Sequence, residues 1–231
     1  MSYVFAPAPP VSVPVVGQTP RFPVHRIYCV GRNYVDHALE MGGTGREAPF
    51  FFMKPADAVL VAEPGQTVDM PYPSLTKNLH HEIELVVAIG VGGTNIRAAD
   101  AAKHIYGYAV GLDMTRRDLP NDMKKQGRPW SIGKGFDHSA PIGAITPAAQ
   151  VPDIATAGIH LQVNGQDRQR STVAKLIWNI AETIEQLSAA WTLQSGDLIF
   201  TGTPEGVGAV VRGDTLVGGV DGLQTIQVRV E

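Results

Sequence analysis

The sequence predicts an α+β fold built on a mixed β-sheet that is rolled or barrel-like, with few short helices. Short apolar runs recur along the chain and are separated by clusters of Gly, Pro, Asn and Asp, which is typical of strands. Only one long segment has the three-four apolar spacing of a helix. Strands and helices do not alternate regularly, so a parallel sheet of βαβ units is not expected.

The composition narrows the class of protein. The chain has 231 residues, 44% of them hydrophobic, which suits one large or two small domains with a packed core. Its net charge of −3 and pI near 6.2 lack the basic excess of nucleic-acid-binding proteins. The sequence has no apolar run of about 18 residues, no signal-peptide pattern, and a lone cysteine, Cys29. We therefore expect a cytoplasmic protein that binds neither membrane nor nucleic acid, with Cys29 buried in a strand.

Two regions are predicted along the chain. Residues 1–24 are rich in proline, and because proline lacks a ladder donor, we expect an extended arm or an edge strand there. Residues 25–231 form the main domain, which starts with a strand at 26–31. A short helix of about two turns is expected next. Asn33 is its predicted N-cap, and the glycine pair at 42–43 ends it.

The remaining elements are predicted from turn residues and apolar spacing. Asn164-Gly165 suits the type I′ turn of a hairpin. A helix capped by Ser171 or Thr172 is predicted from one apolar stripe, which comprises Val173, Leu176, Ile177, Ile180, Ile184, Leu187 and Trp191. Further strands are predicted at 50–53, 58–62, 82–90, 106–112, 197–202, 207–212 and 224–230.

Two carboxylates two positions apart suggest a metal site. In a strand, Glu82 and Glu84 point to the same face, where their like charges repel. The pair alone is also typical of a solvated strand face, and His80 and His81 are further candidate ligands. Asp113 ends another apolar strand and would complete an all-oxygen cluster suited to Mg²⁺, Mn²⁺ or Ca²⁺. Three such ligands fill half of an octahedron, which leaves room for the adjacent keto and carboxylate oxygens of an α-keto acid.

Six stretches occur in one order over roughly residues 21–231, and they are "YCVGRNYVDHALEMG", "PFFFMKPADAV", "NLHHEIELVVAIG", "GYAVGLDMTRRD", "GRPWSIGKGFD" and "GDLIFTGTPEGVG". Together they resemble the fumarylacetoacetate hydrolase family, and in particular its short, single-domain bacterial members. The resemblance implies a mixed β-sheet roll and a homodimer. It also implies a divalent cation, Mg²⁺ or Mn²⁺, held by Glu82, Glu84 and Asp113.

The short helix carries a candidate acid–base pair. His37 and Glu40 are three residues apart, so they share a helix face. Spacing alone favours an ordinary surface pair. The resemblance implies a catalytic dyad in which Glu40 orients the ring and His37 deprotonates a water.

Several basic residues are candidates for the site. Lys134 lies between glycines in "SIGKGF", which by itself also fits an exposed loop lysine. The resemblance implies that it is a catalytic cation near a developing enolate, and that Lys54 contacts substrate. Arg117 follows Asp113 by one helical turn, and it or Arg116 is expected to bind a substrate carboxylate.

The "FTGTPEGVG" stretch predicts a strand that enters a tight turn. Gly202 would let a backbone N–H approach a ligand, and Thr203 offers a hydroxyl. With Arg32 they complete the predicted substrate contacts. The turn lacks a phosphate-loop ending, and the sequence has no dinucleotide fingerprint or serine-hydrolase elbow. Pro120 stands where relatives of this family commonly carry glutamine, which leaves the substrate open.

The expected reaction is hydrolysis of a carbon–carbon bond in a β-diketo acid. Fumarylpyruvate would give fumarate and pyruvate, as in the gentisate pathway of aromatic catabolism. The resemblance leaves open cleavage of other acylpyruvates, decarboxylation of oxaloacetate, and isomerisation or hydration of a 2-hydroxy-dienoate. A metal-stabilised binding protein without catalysis is a further alternative. The presence of His37 counts against it, because a protein that only binds needs no general base.

Overall fold

The computed structural model describes residues 2–36, 46–119, 128–151 and 153–231, and most of its elements are strands. The strands are β1 Ser12–Val13, β2 Phe22–Pro23, β3 Ile27–Gly31, β4 Phe50–Lys54, β5 Val59–Val61, β6 Thr67–Met70, β7 Leu79–His81, β8 Ile83–Ile89, β9 Ile105–Leu112, β10 Thr115–Arg116, β11 Ala140–Ile142, β12 Thr146–Pro147, β13 Gly158–Val163, β14 Gln166–Thr172, β15 Leu198–Phe200, β16 Gly208–Val210, β17 Thr215–Val220 and β18 Ile226–Val230. The α-helices are α1 Ser131–Lys134 and α2 Ile180–Ala190, and short 3₁₀ turns lie at Ala56–Ala58, Ala98–His104, Ala148–Gln150, Ile154–Thr156 and Val173–Lys175.

Two large sheets organise the molecule. The larger has the strand order β4-β3-β15-β8-β9-β11-β5, with β12 added beside β9. It is mixed, since β15 pairs parallel to β3 while β8 pairs antiparallel to β15 and β9. The second sheet has the order β14-β13-β17-β18-β6, and a smaller one joins β10, β7 and β16. This arrangement confirms the predicted α+β class with a curled mixed sheet.

The central strand β8 is buried on both faces. Leu85 and Val87 point into the core shared with the five-stranded sheet, whereas Val86 and Ala88 point into a second core on the opposite face. A strand covered on both sides reads as a continuous apolar run, which is why its sequence shows no polar alternation. The second core is closed by side chains from the predicted N-terminal arm, namely Val13, Val15, Phe22 and Val24.

The predicted strands all overlap observed ones. The predicted hairpin is also confirmed, because Asn164 and Gly165 both have positive φ, 52° and 75°, between β13 and β14. Cys29 is fully buried in β3, and burial raises the pKa of its thiol, as expected of an inert core cysteine. Among the described residues, no helix has the length and apolar character needed to cross a membrane.

The predicted helix beginning near Val173 is wrong in its first half. Residues Val173–Lys175 form a 3₁₀ turn capped by Thr172, and α2 begins only at Ile180. The intervening chain is drawn aside by tertiary contacts, since Leu176 bridges to Tyr34 and the N–H of Ile177 donates to the Asn33 carbonyl. The apolar spacing is therefore shared by two separate elements.

Asn33 is also used differently from the predicted helix cap. Its Oδ1 accepts the Trp178 N–H at 2.8 Å, and its Nδ2 donates to the carbonyls of Trp178 and Thr201. These bonds join the end of β3 to the segment before α2 and to the chain that follows β15. The rest of the predicted short helix, residues 37–43, lies outside the described residues.

We expect Asn179→Ala to lower the free energy of unfolding by about 1 kcal/mol. Asn179 Oδ1 accepts the Glu182 N–H at 3.0 Å, and Glu182 Oε2 accepts the Asn179 N–H at 3.1 Å, which is a capping box. Urea unfolding measures the change, and Asn179→Ser, which keeps an acceptor, is the control. Equal stability of the alanine and serine variants would contradict the role of the cap.

Candidate metal centre

The pairing of β8 and β9 brings three carboxylates to one end of the central sheet. Glu82 and Glu84 lie two residues apart on extended chain, so both point to the same face. The register Ile83↔Leu112 places Glu82 opposite Asp113, whose N–H donates to the Glu82 carbonyl at 2.8 Å. One oxygen from each carboxylate lies within 4.8 Å of the others, and all three residues are buried. The structure thus assembles the three ligands proposed from sequence.

Three cationic side chains contact this cluster within the described parts of the chain. Lys134 Nζ lies 2.9 Å from Glu82 Oε2 and 2.6 Å from Asp113 Oδ2. Lys54 Nζ lies 2.8 Å from Asp113 Oδ1, and the Arg117 guanidinium donates to Glu82 Oε1. Burial lowers the pKa of Lys134, but the charges of Asp113 and Glu82 outweigh burial and raise that pKa above its ordinary value. The two candidate ligands therefore favour the charged form of Lys134, which lies between them.

Glu84 is held by a backbone group. It accepts one backbone N–H, from Gly202, at 2.8 Å. Burial raises the pKa of Glu84 well above its ordinary value, and the neighbouring charges of Asp113 and Glu82 raise it further. A divalent cation among the three carboxylates would reverse this effect, and hard oxygen ligands suit Mg²⁺ or Mn²⁺. The donor set therefore fits the predicted metal.

The lysines are placed by β4 and α1. Lys54 ends β4, and its Nζ also donates to the carbonyls of Met114 and Lys134. Phe52, two residues earlier on the same face of β4, places its ring centre 5.1 Å from Lys134 Nζ. Lys134 itself ends α1. The lysine predicted to be catalytic is thus held in a buried position, and it does not lie on an exposed loop.

The two arginines after Asp113 point to opposite sides. We predicted that Arg117 follows Asp113 by one helical turn, but the segment is extended and contains β10, so alternate residues share a face. Thr115 Oγ1 lies 3.1 Å from the Asp113 carbonyl oxygen and 3.3 Å from Glu82 Oε1, and Arg117 reaches the same Glu82 carboxylate. Arg116 instead donates to the Ile132 carbonyl and stacks 4.4 Å from the centre of a phenylalanine ring. Of the two arginines, Arg117 is the one at the cluster.

The turn after β15 lies next to a candidate metal ligand, and the contact of Gly202 and Thr203 with substrate stays a prediction. Gly202 has a φ of 106°, and a Cβ there would lie 2.7 Å from Cβ of Asn33, so only glycine fits. Its N–H is directed to Glu84 and thus supports a candidate metal ligand. Thr203 is buried, and its Oγ1 accepts Gln169 Nε2–H at 2.8 Å. Arg32 follows β3 in the left-handed region, with φ 54°, and its contact with substrate stays a prediction.

The neighbouring histidines are engaged in hydrogen bonds. His80 Nε2 lies 2.9 Å from Asn78 Oδ1, and His81 Nδ1 lies 3.0 Å from Gln169 Oε1. Burial lowers the pKa of both rings, to about 4 for His80. Neither ring belongs to the group of candidate ligands found among the described residues, which consists of Glu82, Glu84 and Asp113.

A family model described as the C-terminal part of fumarylacetoacetate hydrolase matches residues 26–231 of the chain. The chain belongs to the fumarylacetoacetate hydrolase family. Its resemblance to that family, carried by six short stretches, is thereby confirmed over nearly the whole sequence.

Individual members of the fumarylacetoacetate hydrolase family are similar over most of the chain. A fumarylpyruvate hydrolase from Ralstonia sp is 47% identical over 184 residues, which are 80% of this chain and 93% of that protein. The mitochondrial oxaloacetate tautomerase FAHD1 of Rattus norvegicus is 42% identical over 205 residues, which are 89% of this chain and 91% of that protein. The crystal structure of fumarylpyruvate hydrolase from Pseudomonas aeruginosa in complex with Mn²⁺ and pyruvate is 57% identical, covers 99% of both chains and has a TM-score of 0.97.

The family assignment leaves some site residues to be placed. His37, Glu40 and Pro120 lie outside the described residues. Two residues at the site were missed from sequence. Thr115 carried a weak signal, since it stands two positions after Asp113 on extended chain. Gln169 carried none, because it lies in a strand whose other residues are polar and mostly exposed.

Proposed function

We propose that this protein is a metal-dependent hydrolase that cleaves a carbon–carbon bond in a β-diketo acid, with fumarylpyruvate as substrate. The observation that carries the proposal is the buried cluster of Glu82, Glu84 and Asp113 with Lys134 against two of its members. Support comes from the Ralstonia relative, which is named fumarylpyruvate hydrolase, and from the Pseudomonas aeruginosa structure, whose ligands are Mn²⁺ and pyruvate. Pyruvate is one of the two products expected here.

Glu82, Glu84 and Asp113 would hold Mg²⁺ or Mn²⁺. When bound, such a cation supplies electrostatic stabilisation of the negative charge that develops on an enolate. Lys134 adds a fixed positive charge in the same buried place, where electrostatic interactions are strong. Arg117, beside Glu82, is the guanidinium best placed to bind a substrate carboxylate.

The acid–base chemistry is assigned to His37 and Glu40. In this proposal Glu40 orients the ring, and His37 takes a proton from a water that attacks the acyl carbonyl. The carbon–carbon bond then breaks, and its electron pair leaves with the pyruvate part as an enolate. The proton that His37 took from the water is then transferred to the enolate carbon, which gives pyruvate, and the acyl part leaves as fumarate once its new carboxyl group has ionised.

We expect His37→Ala to reduce turnover of fumarylpyruvate by about 10²–10⁴-fold, because positioned general bases contribute that much. The metal content of the purified variant should stay unchanged, since the three carboxylates are intact. Loss of the diketo-acid absorbance and elemental analysis measure the two quantities. Normal turnover in this variant would remove His37 from the mechanism.

Oxaloacetate chemistry is the second candidate function, because relatives about 42% identical over 89% of the chain are named oxaloacetate tautomerase. Decarboxylation or tautomerisation of oxaloacetate needs the same stabilised enolate but no attacking water. Incubation of the protein and Mn²⁺ with fumarylpyruvate, acetylpyruvate and oxaloacetate, followed by mass identification of products, separates hydrolysis from decarboxylation. Tautomerisation leaves the mass of oxaloacetate unchanged, so it is followed by the rate at which the ultraviolet absorbance of the enol form is lost. We expect fumarate and pyruvate from fumarylpyruvate at the highest rate. A faster reaction of oxaloacetate would favour the second candidate.

The substrate panel also tests the distal carboxylate. Fumarylpyruvate has a second carboxylate that acetylpyruvate lacks, so an arginine that binds it should make fumarylpyruvate the better substrate. Equal rates on the two compounds would contradict such a pocket.

We further propose that the protein is a cytoplasmic homodimer that acts in the gentisate pathway. Light scattering on the protein as it elutes from a size-exclusion column measures its molar mass and so checks the dimer.

A further inference from the structure

The metal-binding strand has a gap in its backbone pairing next to the candidate ligands. β15 and β8 pair antiparallel through Phe200↔Val86, and the last bond of this ladder joins the Thr201 N–H to the Leu85 carbonyl. If β15 continued in the same register, Thr203 would lie opposite Ile83. The chain instead turns away at Gly202, with its φ of 106°. The N–H of Ile83, between the two glutamate ligands, therefore has no strand to pair with on that side.

The side chain of Gln169 fills this gap. Gln169 comes from β14 of the other large sheet, and it is 1% exposed in a stretch whose neighbours are exposed. Its Oε1 accepts the Ile83 N–H at 3.1 Å, and its Nε2 donates to the Pro204 carbonyl at 2.9 Å. A primary amide has the same donor and acceptor as a peptide group, so Gln169 replaces the missing backbone partner. It joins the strand of the candidate metal ligands to the turn after β15.

The hydrogen bonds of Gln169 also determine whether the Thr203 hydroxyl acts as a donor or as an acceptor toward the amide. A backbone N–H can only donate and a carbonyl can only accept, so Ile83 and Pro204 fix the orientation of the amide. Nε2 must then donate to Thr203 Oγ1, at 2.8 Å. The hydroxyl accepts this bond, and its own proton is left to be donated in another direction. The turn that carries Thr203 starts at Gly202, which is bonded to Glu84.

We propose that Gln169 is a positioning residue that makes the Thr203 hydroxyl a hydrogen-bond donor to an anionic oxygen of the ligand at the metal centre. The ligand class is a pyruvate-type α-keto acid, and in this respect the inference rests on the proposed function. Gln169 acts through Thr203 and through Ile83, and it does not touch the reacting atoms. An amide is required because a carboxylate would accept the hydroxyl proton and withdraw it from the ligand.

The test measures binding of pyruvate to the full-length, Mn²⁺-loaded protein by calorimetry, so it does not depend on turnover. We expect Gln169→Glu to weaken pyruvate binding by about tenfold or more, because a hydrogen bond to a charged oxygen is lost. Thr203→Val should have a similar effect, and the double variant should bind no worse than Thr203→Val alone. Gln166→Glu makes the same change at an exposed position of β14 and should leave binding within about twofold of the parent.

The double variant separates positioning from simple charge repulsion. If Gln169→Glu acted only through its added charge, it would weaken binding equally in the Thr203→Val background, and that result would overturn the proposal. Thr203→Ser, which keeps the hydroxyl, should bind pyruvate within about threefold of the parent. If Gln169→Glu fails to fold, equal binding by the serine and valine variants is the result that overturns the proposal. Failure of fumarylpyruvate as a substrate would leave these binding results intact, so the two proposals are tested separately.

Discussion

Asp113→Asn is expected to abolish uptake of Mn²⁺ and Mg²⁺ and to lower turnover by about a thousandfold or more, since metal stabilisation is worth several kcal/mol. Asp113 is 1% exposed, stands opposite Glu82 and supplies an oxygen to the cluster. An amide of the same shape keeps the packing but removes the charge. Titration of the demetallated variant with MnCl₂ in a calorimeter, together with the rate of fumarylpyruvate loss, measures both effects.

A matched control is available at a partly exposed carboxylate. Asp100 also contacts two cations, Arg97 and Lys103, but it lies in the 3₁₀ turn that precedes β9, whereas Asp113 follows the other end of that strand. Asp100→Asn should therefore leave metal uptake and turnover unchanged. Retention of Mn²⁺ binding and product formation in Asp113→Asn would refute the assignment of the metal centre.

The stability of the Asp113 variant is a separate matter, because Asp113 contacts the buried Lys54 and Lys134. Removing one partner of a buried ion pair typically costs about 3–5 kcal/mol. Glu84→Gln is the second variant, since burial and like charges already disfavour the charged form of Glu84 in the metal-free protein. It should fold without metal and show no rise in melting temperature with Mn²⁺, whereas the parent protein should be stabilised by ligand binding.

Lys134→Met is expected to lower kcat by about 10²–10³-fold, the range found when one preorganised electrostatic contact to a developing charge is removed. Lys134 Nζ is buried and lies within hydrogen-bonding distance of both Glu82 and Asp113. Methionine has a similar length without the charge, so the change isolates the electrostatic effect. Steady-state kinetics measures kcat. The assay uses saturating Mn²⁺, so that any change in metal affinity caused by the lost positive charge does not affect kcat.

The control for Lys134 is Lys103→Met, at a side chain that is 77% exposed. This variant should have the kcat of the parent protein. Mn²⁺ affinity is expected to stay measurable in Lys134→Met, because all three carboxylates remain. An unchanged kcat in Lys134→Met would show that the metal alone neutralises the enolate.

Much of the sheet and the core of the metal centre could be predicted from sequence. The two-residue period of a strand places Glu82 and Glu84 on one face wherever the strand lies, and an apolar run ending in Asp113 marks the end of a buried strand. The Asn164-Gly165 turn was equally predictable, because positive φ at two successive positions favours these residues. All these features depend on residues that are close in sequence.

The failures have a common cause in contacts between distant segments. The apolar stripe from Val173 is interrupted because Asn33 and Tyr34 pair with the segment before α2. Arg117 reaches Glu82 along extended chain and not across a helical turn, because β10 pairs with β7. The local sequence pattern predicts neither the pairing of Asn33 and Tyr34 with the segment before α2 nor the pairing of β10 with β7.

By itself the sequence determined the strand faces, the chemistry of the three carboxylates and membership of a family, because side-chain type and the period of the strand are local properties. Only the tertiary structure decided that Asp113 stands opposite Glu82, that Lys54 and Lys134 are buried against these carboxylates, and that Gln169 completes the pairing of Ile83. These relations depend on the register between strands and on the packing of one sheet against another. Register and sheet packing depend on the free energy of the whole fold, so they cannot be predicted from the residue at any single position.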